Sequence, residues 1–210
     1  MSKLIKVNKK NNHLVEVIIN RPEKLNAMTK PMWIELGKVF NKLSQNKNLR
    51  CIIIRGQGGK SFSPGNDIGE FKKERSSTKL AKSYGNFLHG TLGAIFNCPI
   101  PTIALIEGIC VGGGLEIAAC CDIRICGKSS RFGVPIKRLG LTMAAKELEV
   151  LLKVTNYSTA MEILLNIPLI TCVAFHVSTQ RTDLGTRPLG DVMMLNSVLR
   201  SKLIPEEPQA

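Results

Sequence analysis

Ile106-Glu107-Gly108-Ile109-Cys110-Val111-Gly112-Gly113-Gly114-Leu115-Glu116 decides how the rest of this chain is read. A β-branched run ends at a triple glycine, and an apolar segment, Leu115 to Cys121, follows. The glycines let the chain turn sharply from strand into helix and keep side chains clear of a ligand. The first N–H groups of such a helix have no acceptor within it, and the positive end of its dipole faces the same side. Gly113 is the candidate donor to a carbonyl oxygen; the competing reading is a tight turn or a packing contact. A second segment, Phe62-Ser63-Pro64-Gly65-Asn66-Asp67-Ile68, forms a compact turn that exposes backbone donors, with Asn66 N–H the natural partner of Gly113. Two donors aimed at one oxygen stabilise developing negative charge more than they stabilise a neutral carbonyl, and that difference is catalysis.

Outward from these segments, strand and helix signals alternate. Leu4 to Val7 and Leu14 to Ile19 are short β-branched runs separated by Asn11-Asn12. Arg21-Pro22 closes the second run. Thr29 is placed to cap a helix that Pro31 helps to start, and Met32, Leu36, Val39, Phe40 and Leu43 recur at helical spacing. Cys51 to Ile54 reads as a buried strand, so strand, helix and strand together suggest a crossover unit. A second helix is expected over about Thr78 to Asn97, a strand over Thr102 to Ile106, another over Asp122 to Cys126, and two helices around Leu148–Leu152 and Met161–Leu165. This pattern specifies α/β architecture. The texture changes near Asn166. Residues 1–165 are expected to form one domain, and 166–210 an atypical, weakly ordered carboxyl-terminal segment.

Composition narrows the function. Of 210 residues, 44% are hydrophobic and 21% charged, enough for a sizeable core. No apolar run is long enough to span a membrane, and the amino terminus lacks the apolar run of a secretory signal, so a cytoplasmic location is expected. The net charge of +13 favours an anionic partner. The basic residues are scattered, and aromatics make up only 5%, which disfavours nucleic acid. Seven cysteines without a Cys-x-x-Cys pair read as structural thiols, and His13, His89 and His176 complete no metal-ligand spacing. There is no Gly-x-Ser-x-Gly nucleophile elbow, and Gly56 to Ser61 lacks the spacing of a P-loop and reads as a surface turn.

Asn20-Arg21-Pro22-Glu23-Lys24-Leu25-Asn26-Ala27-Met28, Phe62 to Phe71, and Pro101 through Phe132-Gly133-Val134-Pro135 together resemble the enoyl-CoA hydratase/isomerase, or crotonase, superfamily over residues 4–165. The resemblance implies a crotonase-like spiral of repeated β-β-α units, assembled as a homotrimer or a dimer of trimers. It implies an acyl-CoA thioester as ligand, with coenzyme A entering as part of the substrate and no prosthetic group or metal. By the same resemblance Asn66 and Gly113 supply the backbone donors, and Lys24, Leu25 and Ala27 line the CoA site with Pro64, Gly65, Asp67 and Ile68. Glu116, three residues after Gly113, becomes the acid/base candidate; the bland alternative is a glutamate that stabilises a helix start.

Two departures stand out. Hydratases of this family carry a second glutamate just after Phe-Gly-x-Pro, where this chain has Ile136, which transfers no proton. The segment after Leu165 does not resemble the family's closing helices. Both departures support an alternative expectation, a catalytically impaired CoA-thioester-binding protein. Lys137 and Arg138 beside Ile136 read as solvated or phosphate-facing.

Overall fold

The computed structural model describes residues 3–70, 76–135, 143–165 and 170–171. It is a mixed α/β fold built from two largely parallel sheets. The larger sheet contains β1 (Ile5–Lys9), β2 (Leu14–Ile19), β3 (Cys51–Gly56), β5 (Thr102–Ile106) and β7 (Ile123–Cys126), in the order β1-β2-β3-β5-β7. The smaller contains β4 (Ser61–Ser63), β6 (Ile109–Val111), β8 (Arg131–Gly133) and β9 (Ile170–Thr171), in that order. The main α-helices are α1 (Lys30–Leu43), α2 (Thr78–Phe96), α3 (Gly113–Cys120), α4 (Ala145–Val154) and α5 (Tyr157–Leu165).

The chain alternates between the two sheets with a fixed rhythm. β3 joins the large sheet, β4 the small one, and α2 follows. β5, β6 and α3 repeat the pattern, and so do β7 and β8. Successive units stack with parallel pairing in both sheets, from β3 to β5 to β7 and from β4 to β6 to β8. This is the expected β-β-α spiral. Each short second strand is stabilised by pairing with the strands of adjacent units rather than by its own length.

Composition explains the layers. β3 reads Cys-Ile-Ile-Ile, apolar on successive residues, because a parallel strand is covered on both faces. β2 precedes α1, which returns the chain to pair β3 in parallel with β2. Thr29 is indeed the N-cap residue of α1, with Pro31 in the first turn, although its side chain makes no capping hydrogen bond. Met32, Trp33, Leu36 and Phe40 point from α1 into the main core, where Tyr84, Leu88, Leu92 and Ile95 of α2 meet them. The two helices are also tied by Thr91 Oγ1, which donates to the Trp33 carbonyl at 2.8 Å.

Cys51, Cys98, Cys110, Cys120 and Cys121 are buried and not disulfide-bonded. Burial pushes Cys51 and Cys121 up to about 12 and raises Cys110 and Cys120 as well, which keeps them protonated and inert. Cys126 departs from the expectation of thiols throughout: it is disulfide-bonded. Among the described residues no helix is long and apolar enough to cross a membrane. Ile170–Thr171 pair antiparallel with β8. The rest of segment 166–210 lies outside the described residues, as do Ile136, Lys137, Arg138 and His176.

Candidate active site

The two glycine-bearing segments meet. The turn after β4 and the start of α3 lie so close that a Cβ on Gly65 would fall 2.5 Å from the Gly113 nitrogen and 3.1 Å from its Cα. Gly65 also has φ +88°, in the left-handed region that disfavours side chains. One position behind, Gly114 packs so tightly that a Cβ there would collide with the Ser63 carbonyl oxygen. Glycine is required at these positions because two backbones touch.

The direction of the Asn66 N–H follows from its own peptide. Gly65 O accepts from Met28 N at 2.7 Å. In a trans peptide the N–H points opposite to the C=O, so the Asn66 N–H faces away from Met28. Asp67 N donates back to Met28 O at 2.9 Å, which pins the far side of the residue. Gly113 is the first residue of α3, and its N–H has no intrahelical acceptor. Among the described residues neither N–H has a hydrogen-bond partner.

Glu116 sits on the first turn of α3, half-buried, and its own N–H donates to Gly112 O at 3.0 Å. The side chain therefore belongs to the helix end that also carries the Gly113 N–H. The Gly112 N–H donates to Gly133 O at 2.9 Å, so the Phe132-Gly133-Val134-Pro135 stretch runs beside the glycine turn.

The expected CoA-lining residues come together too. Leu25 and Asn26 both adopt left-handed conformations, with φ of 53° and 64°. They follow a one-turn 3₁₀ helix, Pro22–Lys24. Lys24 and Leu25 are exposed, and Ala27 is half-buried. Met28 then bridges Asn66, which places this loop edge to edge with Pro64–Ile68. Ile68 is 60% exposed, a large apolar side chain open to solvent. The Asp67 carboxylate is committed elsewhere: it accepts from Arg21 Nη1 at 2.6 Å and from Gly69 N at 2.9 Å. The Arg21 guanidinium, chiefly through that hydrogen bond, holds Asp67 below the usual carboxylate range.

Several residues that hold this arrangement escaped the sequence reading. Asn26 is fully buried; its amide donates to Gln57 O and Ser61 O and its Oδ1 accepts from Arg21 N. Ser63 Oγ donates to Asn26 O at 2.8 Å and accepts from Gly65 N at 3.1 Å. Trp33 Nε1 and Tyr84 OH both donate to Asn66 Oδ1. The usable signal was present for the aromatics: a buried Trp or Tyr must place its polar atom against a partner.

The enoyl-CoA hydratase/isomerase family model matches residues 9–172, most of the chain and every residue of the arrangement above. The chain belongs to the enoyl-CoA hydratase/isomerase family. It is 34% identical over 159 residues to a mitochondrial Delta(3,5)-Delta(2,4)-dienoyl-CoA isomerase of Mus musculus, an alignment covering 71% of this chain and 48% of that protein. It is 32% identical over 160 residues to the peroxisomal Delta(3,5)-Delta(2,4)-dienoyl-CoA isomerase of Arabidopsis thaliana, covering 71% and 57%. Among solved structures, an enoyl-CoA hydratase/carnitine racemase from Magnetospirillum magneticum superposes with a TM-score of 0.81 at 38% identity, covering 84% of this chain and 66% of that one. The chain spans about half the length of the curated relatives it matches.

Membership in the enoyl-CoA hydratase/isomerase family accounts for the spiral. It also accounts for the position of the glycine turn, between the second strand and the helix of one β-β-α unit. Among the described residues no group of three or more His, Cys, Asp or Glu is placed to hold a metal ion.

Proposed function

We propose that this chain binds an acyl-CoA thioester and stabilises the enolate formed at its α-carbon. The thioester oxygen accepts from the N–H groups of Asn66 and Gly113, and Glu116 moves the proton. The reading is carried by one observation: two backbone segments, distant in sequence, touch at Gly65 and Gly113, and each leaves an amide N–H without a partner among the described residues. Unpaired backbone donors are costly unless solvent or a ligand meets them.

Enolate formation draws the electrons of the α-carbon toward the thioester oxygen, where the two N–H groups bind the new charge more strongly than the neutral carbonyl. In double-bond migration Glu116 takes a proton from one carbon and returns it to another. In hydration it takes the proton of the attacking water as oxygen adds to the β-carbon, then delivers it to the α-carbon. Both reactions share the enolate, and both close with a single carboxylate. Coenzyme A brings several phosphate charges, which suit a chain of net charge +13 and an exposed Lys24 beside the site. A homotrimer or a pair of trimers is the assembly proposed, and sedimentation of the purified chain tests it.

The test of catalysis is Glu116→Gln. Turnover of short and medium enoyl-CoA and dienoyl-CoA thioesters falls about 10²- to 10⁴-fold, while calorimetric acyl-CoA affinity stays within a few-fold. Unchanged turnover removes Glu116 from the mechanism. A second reading rests on Ile136, which stands where a second carboxylate is expected: the chain binds CoA thioesters without turning them over. Binding without turnover by the unsubstituted protein, across the same substrate panel, selects that reading.

A further inference from the structure

Both proposed donors share one neighbour. Trp33 Nε1 donates to Asn66 Oδ1 at 2.7 Å. The six-membered ring of the same indole lies against Gly113, where a Cβ would meet Trp33 Cζ2 at 2.9 Å. Tyr84, from α2, adds a second hydrogen bond to the same Asn66 oxygen at 3.0 Å. Trp33 and Tyr84 are both fully buried. Trp33 is itself held at its backbone, where its N–H donates to Thr29 O and its carbonyl accepts from Thr91.

A backbone N–H needs no particular side chain, so an alanine at position 66 would present the same donor. The asparagine adds a handle. The peptide that carries the Asn66 N–H begins at Gly65, whose missing Cβ leaves that peptide plane weakly restrained on one side. Met28 N–H holds its carbonyl end. On the other side the only covalent lever is the Asn66 Cα, and its side-chain oxygen is fixed by two buried donors. Buried hydrogen bonds to one acceptor are strong where the local dielectric is low. The indole contact with Gly113 then references the second donor to the same rigid group.

We infer that Trp33 and Tyr84 are positioning residues that set the Asn66 amide relative to the Gly113 amide and so tune the hydrogen bonding to the thioester oxygen. The inference rests on the oxyanion reading above. Neither residue need touch the substrate, so their loss weakens polarisation of the carbonyl more than it weakens binding.

The experiment is difference infrared spectroscopy of the full chain with a saturated acyl-CoA carrying ¹³C at the thioester carbonyl. In the unsubstituted protein the carbonyl stretch moves to lower frequency on binding. Trp33→Phe and Tyr84→Phe each reduce that shift while the acyl-CoA dissociation constant changes less than about threefold, and turnover falls about tenfold, less than the ~10²-fold cost of an outright misplacement. Asn66→Ala reproduces the loss. Asn66→Asp, which keeps an acceptor for both donors, restores most of the shift. Emission of Trp33, the chain's one tryptophan, verifies folding in the Tyr84 and Asn66 variants, so the test survives a failure of Trp33→Phe to fold. A full shift in Tyr84→Phe and Asn66→Ala overturns the inference and leaves the oxyanion reading standing. No shift in the unsubstituted protein with acyl-CoA bound overturns the oxyanion reading itself, and the inference with it.

Discussion

Gly65 and Gly113 touch backbone to backbone: a single added Cβ on Gly65 would lie 2.5 Å from the Gly113 nitrogen, on a residue whose φ is already +88°. Neither neighbour is a flexible side-chain end that can swing aside. The contact joins the turn after β4 to the start of α3 and sets the spacing of the amides beside it.

Gly65→Ala is accordingly expected to be damaging on two grounds. The left-handed backbone alone costs about 1–2 kcal/mol with a side chain, and the clash adds to it by forcing the two segments apart. Urea denaturation checks the stability, with a loss of more than about 2 kcal/mol expected. Acyl-CoA turnover falls at least about 10²-fold, the cost of losing one oxyanion donor. A variant of normal stability and activity contradicts the close contact.

Asn26→Ala tests the loop that carries the proposed CoA-lining residues. The substitution strands the buried Ser61 carbonyl and the half-buried Gln57 carbonyl and Arg21 N–H, and puts alanine at φ 64°. Stranded buried groups cost about 1–3 kcal/mol each when no water reaches them. A destabilisation of about 3 kcal/mol or more in chemical denaturation is expected, and a change below about 1 kcal/mol contradicts the geometry.

The spiral was legible where elements were long. The β-branched runs of β2, β3 and β5 and the helical spacing of α1 were readable because each spans enough residues to show a period. β4, β6 and β8 were not, because each has three residues, too few for alternation, and each exists as a strand only when stacked on its neighbours. Ser61 therefore reads, in the sequence, as the end of a surface turn, whereas it is buried and opens β4. Asn66 and Gly113 stand out as candidate donors in the sequence because a close backbone approach leaves glycine-rich traces. Trp33 and Tyr84 were missed because their partner lies 33 and 18 residues away, and nothing local to an aromatic residue says which polar atom will meet it.

The Arg21–Asp67 pair makes an acid-sensitive tie between the same two loops. Asp67 has a folded-state pKa below its unfolded value near 3.9. The stability it contributes is thus present above about pH 4 and is lost as pH falls through the lower, folded-state value. Asp67→Asn removes that contribution at neutral pH. Denaturation profiles of the two proteins are expected to differ at pH 7 and to converge as the pH drops below about 4. A stability gap that stays constant across that range contradicts the ion pair.

Whether the amides of Asn66 and Gly113 grip one thioester oxygen is answered by a crystal structure of this chain with a saturated acyl-CoA bound. The thioester oxygen is expected within about 2.7–3.1 Å of both nitrogens, with the Glu116 carboxylate facing the α- or β-carbon. An acyl-CoA seated with its thioester oxygen on other groups, or bound away from the Gly65–Gly113 contact, would contradict it.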